Sequence, residues 1–64
     1  MKLKDLKKGQ YFTKKPIENP TEKQVWIRGP YDKSTKKYDC YRFDDVNTYS
    51  EIPGNKEVFV DFIF

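Results

Sequence analysis

The sequence predicts a small all-β domain, either an SH3-like barrel or a strongly bent antiparallel sheet of four to five short strands. Three segments are rich in β-branched and aromatic side chains and lack the helical period: residues 24–29, 36–43 and 58–64. Short stretches containing Gly, Pro, Asp and Ser separate these segments, as turns do. At 64 residues the chain is expected to form one domain, residues 1–64.

The amino-terminal part is predicted to enter the first strand through a tight turn. Leu6 precedes a turn containing Gly9, and residues 10–13 have the composition of a strand. As an alternative for the first residues, Leu3 and Leu6 share one helical turn. Residues 16–23 carry two prolines, which lack the N–H group that a sheet ladder needs, so a loop is predicted there.

The next two strands, residues 24–29 and 36–43, are predicted to form a hairpin that turns about Ser34 and Thr35. The register that gives favourable cross-strand chemistry pairs Asp32 with Lys37, Tyr31 with Tyr38, Arg28 with Tyr41 and Trp26 with Phe43. It places one set of side chains on the core face: Val25, Ile27, Tyr31, Tyr38 and Cys40. The opposite face then carries Trp26, Arg28, Asp32, Lys37, Asp39, Tyr41 and Phe43.

The last third of the chain is predicted to add a short extended piece and a final strand. Pro53 and Gly54 suit the centre of a type II turn. Residues 58–64 then alternate in the strand period but are apolar on both faces. Such a strand is expected to be buried on both sides or to pair with a partner.

The composition argues against catalysis. The chain has no histidine, so a Ser or Cys nucleophile lacks its usual base and a metal lacks its commonest ligand. The single cysteine, Cys40, cannot form an internal disulfide, and a buried, inert thiol is expected on its strand. We therefore expect no enzyme, no catalytic residue, no metal, no cofactor and no small-molecule substrate.

The adjacent carboxylates Asp44 and Asp45 resemble a reactive pair, but their spacing favours a turn. Side chains of neighbouring residues in an extended chain point to opposite faces, and neither residue starts a Ca²⁺ loop with Gly at position six and Glu at position twelve. Asp side chains that accept bonds from nearby backbone amides end strands. Val46 is then expected to enter the core beneath this turn.

The sequence offers no sign of a membrane or export segment. No apolar run approaches the roughly 20 residues of a membrane span. The first residues lack the apolar stretch of a signal peptide. A cytoplasmic protein with a reduced thiol is expected.

Two groups of side chains are candidates for binding. Residues 1–15 hold six lysines against one acid, so Lys7, Lys8, Lys14 and Lys15 form a basic patch. In the predicted hairpin, Trp26, Arg28 and Tyr41, with Lys37 nearby, form an aromatic and cationic strip. The competing interpretation is that the lysines only solubilise the chain, while Trp26 and Phe43 form a second small core, under the loop of residues 16–20 or against the final strand.

Three short motifs resemble those of a group of small uncharacterised proteins from anaerobic gut bacteria and their phages and mobile elements. They are Gly-x-x-Phe at Gly9–Phe12, Val-x-x-Arg-Gly-x-Tyr-Asp at Val25–Asp32, and Phe-Asp-Asp-Val-Asn at Phe43–Asn47. The resemblance covers most of the chain except residues 16–23 and 48–54. It implies a compact accessory protein and assigns no catalytic residue.

These observations predict a non-catalytic binding module that acts through a protein partner or as a homodimer. The final strand, apolar on both faces, is the expected dimer edge. The alternative function is nucleic-acid binding, with the basic patch contacting phosphates and the strip stacking on bases.

Overall fold

The computed structural model describes residues 1–64 and confirms the all-β prediction. Its strands are β1 (Tyr11–Phe12), β2 (Trp26–Asp32), β3 (Lys37–Arg42) and β4 (Asp45–Pro53). They form one antiparallel sheet in the order β1-β2-β3-β4, preceded by a single 3-10 turn at Leu3–Asp5. Since β1 and β4 are not paired with each other, the sheet is not closed into a barrel. No helix reaches the length and hydropathy needed to cross a bilayer.

The β2–β3 hairpin turns where the sequence predicts it. Asp32 pairs with Lys37 and Tyr31 with Tyr38, which confirms this part of the register. The Asp32 side chain accepts a bond from the Ser34 N–H, and the Asp32 carbonyl accepts one from Lys36. Lys36 adopts φ 59°, which closes the turn back onto β3.

Beyond the turn the predicted register is wrong by one residue. A bulge lies between Arg28 and Tyr31, so Arg28 faces Cys40 instead of Tyr41, and Trp26 pairs with Arg42 instead of Phe43. Pro30 has no N–H to donate to the ladder, and an ideal Cβ on Gly29 would lie 1.9 Å from the Asp39 carbonyl oxygen. The Gly29–Pro30 pair thus bulges, and the strand beyond it is displaced by one residue.

A turn forms at the two adjacent aspartates, as predicted, but only the Asp45 side chain accepts a bond from a backbone amide. Asp44 binds the guanidinium of Arg42, while Asp45 accepts bonds from the Asn47 N–H and the Thr48 hydroxyl. The register shifts again here, since Arg42 pairs with Asp45 but Tyr41 pairs with Tyr49.

The predicted burial of Val46 is wrong. Val46 is 67% exposed because residues 46–48, although within β4, have no partner in β3 at this second shift.

The final strand predicted over residues 58–64 is absent. Only two isolated bridges form in this region, Lys2 with Glu57 and Thr13 with Phe59. Their partners are short stretches separated by the 3-10 turn and by residues 6–12, so they cannot build a continuous ladder. Further on, the Ile63 N–H binds the carbonyl of Glu18, which holds the end of the chain against the loop of residues 16–20.

The main core lies between one face of the sheet, the 3-10 turn and the carboxy-terminal segment. Its members are fully or almost fully buried: Leu3, Leu6, Phe12, Cys40, Ile52 and Val58. Three partly buried side chains pack against this cluster: Trp26, Tyr38 and Val60. Val25, which precedes Trp26 in the chain, is fully buried but is not a member of the cluster. Ile27, predicted to be in the core, lies only half-buried on the opposite face because of the Gly29–Pro30 bulge.

Candidate binding surfaces

The two faces of the sheet carry different sets of side chains. The core face bears Phe12, Trp26, Arg28, Tyr38, Cys40 and Ile52, since these residues are paired with one another or alternate along their strands. The outer face bears Tyr11, Ile27, Lys37, Asp39, Tyr41, Tyr49 and Glu51.

The predicted strip is therefore divided between the two faces. Trp26 and Arg28 belong to the core face, whereas Tyr41 and Lys37 belong to the outer face. The prediction that they form one surface is wrong because the bulge exchanges the faces of β2 residues before Gly29. Side chains alternate between the two faces of a strand, and a bulge shifts that alternation by one residue.

The outer face carries a row of apolar side chains that crosses all four strands. Tyr11 pairs with Ile27, Ile27 with Tyr41, and Tyr41 with Tyr49, so the four side chains are consecutive neighbours. We call them the aromatic row. Tyr11 is 41% exposed and Tyr49 is 66% exposed, and no second layer of secondary structure covers the row.

The β1 end of the aromatic row is extended by two phenylalanines. The Tyr11 ring lies 5.4 Å from Phe43 and 6.0 Å from Phe64, and the latter two rings are 4.9 Å apart in edge-to-face geometry. Phe43 therefore packs on the outer-face side with Tyr11 and against Phe64 of the final segment, as one alternative expects. Trp26 packs against the main core instead, so the two residues do not form a common second core.

The β4 end of the aromatic row borders a shallow groove of about 460 Å³. Its lining consists of Asp32, Asp39, Tyr41, Val46, Tyr49 and Glu51, and we call it the carboxylate groove. The two ion pairs of the structure join the N-terminus to Glu57 and Arg42 to Asp44. The three carboxylates of the groove therefore have no cation in contact.

The basic patch is brought together with Trp26, but only in part. Lys14, Lys15 and Lys23 line a pocket of about 240 Å³ with Ile17, Gln24 and Trp26, which we call the basic pocket. The Lys14 ammonium lies 3.9 Å from the centre of the Trp26 ring, a cation–π contact. Burial against the protein lowers the pKa of Lys14, with the charge of Lys56 acting in the same direction and Cys40 opposing.

The other predicted members of the basic patch lie outside the basic pocket. Lys7 and Lys8 are exposed in the turn before β1 and do not line it. Lys23, by contrast, lies in the loop before β2 and was not predicted. The sequence carries no signal for this contact, because Lys23 lies in an irregular turn where no fixed spacing brings side chains together.

Arg28 has a structural environment. Its guanidinium lies 4.3 Å from the centre of the Tyr38 ring, and its Nε is buried without a hydrogen-bond partner. The Arg28 guanidinium thus makes a cation–π contact on the core face and does not reach the aromatic row.

The lone thiol is placed as the sequence predicts. Cys40 is fully buried in the main core. Burial raises the pKa of the Cys40 thiol above its usual value, an effect that the Gly29 N–H and the charge of Arg28 only partly oppose. No group of three or more His, Cys, Asp or Glu side chains is arranged to hold a metal ion.

We expect the folded protein to resist alkylation at Cys40. The thiolate is the attacking form, so a raised pKa and full burial both slow the reaction with iodoacetamide. At pH 8 the folded chain should react at least about a hundredfold more slowly than the urea-unfolded chain, since access requires opening of the core. Mass spectrometry of timed samples measures both rates, and equal rates would contradict the buried position.

Comparisons with known proteins give no indication of function. No protein-family model matches the sequence, and no curated protein or solved structure is significantly similar to it.

Proposed function

We propose that this protein is a non-catalytic, cytoplasmic binding module that acts through protein–protein contacts, including self-association. The observation that supports the proposal is the aromatic row, which no second layer of secondary structure covers. In small antiparallel sheets the face away from the core is usually polar, because it is exposed to water. Here Tyr11, Ile27, Tyr41 and Tyr49 form a continuous apolar band on that face.

The composition of the row suits an interface. Tyrosine is enriched at protein–protein contacts because its ring buries a large area at a small entropic cost and its hydroxyl remains hydrogen-bonded. A row of such anchors, bordered by charged side chains, has the arrangement of apolar centre and polar rim that interfaces show. The resemblance to a group of small uncharacterised proteins of anaerobic gut bacteria, their phages and mobile elements implies a compact accessory protein, which would suit a role of this kind.

An SH3-like arrangement is the finer form of the fold that we propose. The bridges Lys2–Glu57 and Thr13–Phe59 bring the carboxy-terminal segment towards β1, where a fifth strand would begin to close a barrel. The sheet itself remains open, and the aromatic row lies on its outer face, away from the side that a closed barrel would enclose.

Sedimentation velocity and peptide selection test the binding function together. The wild type should either self-associate at high micromolar concentration or enrich binders from a displayed peptide library. The double variant Tyr41→Ala and Tyr49→Ala should lose that behaviour. Tyr31→Ala is the matched control, because Tyr31 is also an exposed tyrosine, at 46%, but packs on Tyr38 on the core-face side.

The proposal fails if the wild type remains monomeric and selects no binder. It also fails if the Tyr41/Tyr49 double variant and the Tyr31 variant behave alike, since the aromatic row would then have no special part in binding.

Nucleic-acid binding is the second candidate, favoured by the basic pocket. Lys14, Lys15 and Lys23 surround Trp26 with three cations that have no acidic partner in contact. Such a cluster can hold phosphates. Lys14 already covers one side of the Trp26 ring, so at most the other side is free for a base.

A fluorescence titration with single-stranded DNA and RNA at low salt decides this candidate. Binding should quench Trp26 emission, weaken steeply as salt is added, and decrease in the variant Lys15→Gln and Lys23→Gln. Lys37→Gln, on the outer face, is the matched control. Absence of quenching, or quenching without salt dependence, rejects nucleic acid as the partner.

A further inference from the structure

We propose that the carboxylate groove receives arginine or lysine side chains from an extended, basic segment of a partner protein. This inference rests on the proposed binding function and names the chemistry of the partner. It depends on three features of the outer face: an unfavourable pair of like charges, two tyrosine rings beside it, and the absence of an ion pair to either acid of that pair.

The pair of like charges is Asp39 and Glu51. These residues are direct cross-strand partners on β3 and β4, and both side chains lie on the outer face. Two carboxylates in this position repel each other and destabilise the free sheet. A cation bound between them would turn that repulsion into two attractive contacts, so the free protein is poised to gain from a positively charged ligand.

The tyrosines determine what kind of cation fits. Tyr41 and Tyr49 line the groove next to the carboxylates and are themselves direct partners across the same two strands. A guanidinium can stack on a phenol ring while it donates paired hydrogen bonds to a carboxylate. Arginine is therefore expected to bind better than lysine, which offers only a point charge.

The charges of the groove argue for a protein segment over the other partners considered. Asp32, whose cross-strand partner is Lys37, adds a third carboxylate that forms no ion pair, so the phosphates of a nucleic acid would be repelled from the groove. The carboxylates do not converge as metal ligands do. Val46, exposed at the rim, adds an apolar contact for the chain that carries the cations.

Fluorescence anisotropy with short labelled peptides tests the inference. The probe is an extended peptide of alternating arginine and valine, and the matched peptide has glutamate in place of arginine. The arginine peptide should bind at low salt, and the lysine version should bind more weakly. Glu51→Gln or Asp39→Asn should weaken binding by about tenfold each, as expected for the loss of one charge-assisted contact. Asp61→Asn removes an exposed acid that does not line the groove and should leave binding unchanged.

A second readout uses the protein alone. Because Asp39 and Glu51 repel each other, Glu51→Gln should raise the thermal midpoint of the free protein while it weakens peptide binding. Asp61→Asn should change neither. A lower midpoint for Glu51→Gln would contradict the premise of like-charge repulsion.

The outcomes separate this inference from the proposed function. Equal binding of the arginine and glutamate peptides, or arginine binding that ignores Asp39→Asn and Glu51→Gln, overturns the choice of a basic partner. Dependence of self-association or peptide selection on Tyr41 and Tyr49 would still support the binding module. If no peptide binds and the aromatic row affects neither assay, both proposals are rejected.

Discussion

Gly29→Ala should destabilise the fold by about 3 kcal/mol, a large part of the roughly 3–10 kcal/mol expected for a domain of this length. The added methyl group would lie 1.9 Å from the carbonyl oxygen of Asp39 and 3.1 Å from its carbonyl carbon. Both atoms belong to the backbone of β3, which cannot move aside without breaking its pairing. Urea unfolding followed by circular dichroism measures the loss.

Gly9→Ala is the matched control for this substitution. Gly9 has φ +88°, but nothing lies within 4 Å of the position its Cβ would take. Only the cost of a left-handed conformation applies there, about 1 kcal/mol. If the two variants lose equal stability, the close approach of Gly29 to β3 is not what constrains the hairpin.

Phe12→Ala should unfold most of the protein at room temperature. Phe12 has no exposed surface and is the largest fully buried side chain. Removing a buried phenyl ring costs about 3–5 kcal/mol, from lost transfer free energy and from the cavity left behind. Near-ultraviolet circular dichroism and dispersion of amide proton resonances report the folded fraction.

Two further variants keep this prediction testable if Phe12→Ala does not express. Phe12→Leu retains most of the volume and should remain folded with a lower urea midpoint. Phe64→Ala removes the same ring from a side chain that is 51% exposed, and should cost about 1 kcal/mol or less. A larger loss for Phe64 than for Phe12 would mean that the ring cluster around Tyr11, and not the main core, holds the sheet together.

The two turns and the burial of Cys40 could be predicted from the sequence, because they depend on residues close together in the chain. The turn about Ser34 and Thr35 and the aspartate turn at Asp44 and Asp45 both follow from side chains that bond to nearby backbone amides. The burial of Cys40 follows from its alternation with partly exposed neighbours on β3.

The register beyond Gly29 could not be read in the same way. A bulge depends on how closely two backbones approach, which is set by the fold as a whole, and the Gly-Pro sequence is equally compatible with a strand end. Residues 58–64 show the converse case. They have the pattern of a strand, but a strand needs a partner edge, and only isolated residues of the amino-terminal region offer one.

The same bulge explains why the candidate site was only partly predicted. Tyr41 was recognised as a binding residue, but its neighbours in the sequence-based register were Trp26 and Arg28. In the structure its neighbours are Ile27 and Tyr49. A row that crosses four strands is a property of three registers at once, and an error in one of them is enough to conceal it.

The main core and the aromatic row lie on opposite faces of the sheet, so residues of the row can be substituted without altering the core. Phe12 and Cys40, the fully buried strand side chains, both lie on the core face, whereas Tyr49 is 66% exposed and Tyr41 is half-buried, so substitutions at these two tyrosines leave the main core intact. Selection for a new partner can therefore change the outer face at little cost in folding stability. A display library randomised at the aromatic row should retain a high proportion of folded members, which would make this chain a compact scaffold for engineered recognition.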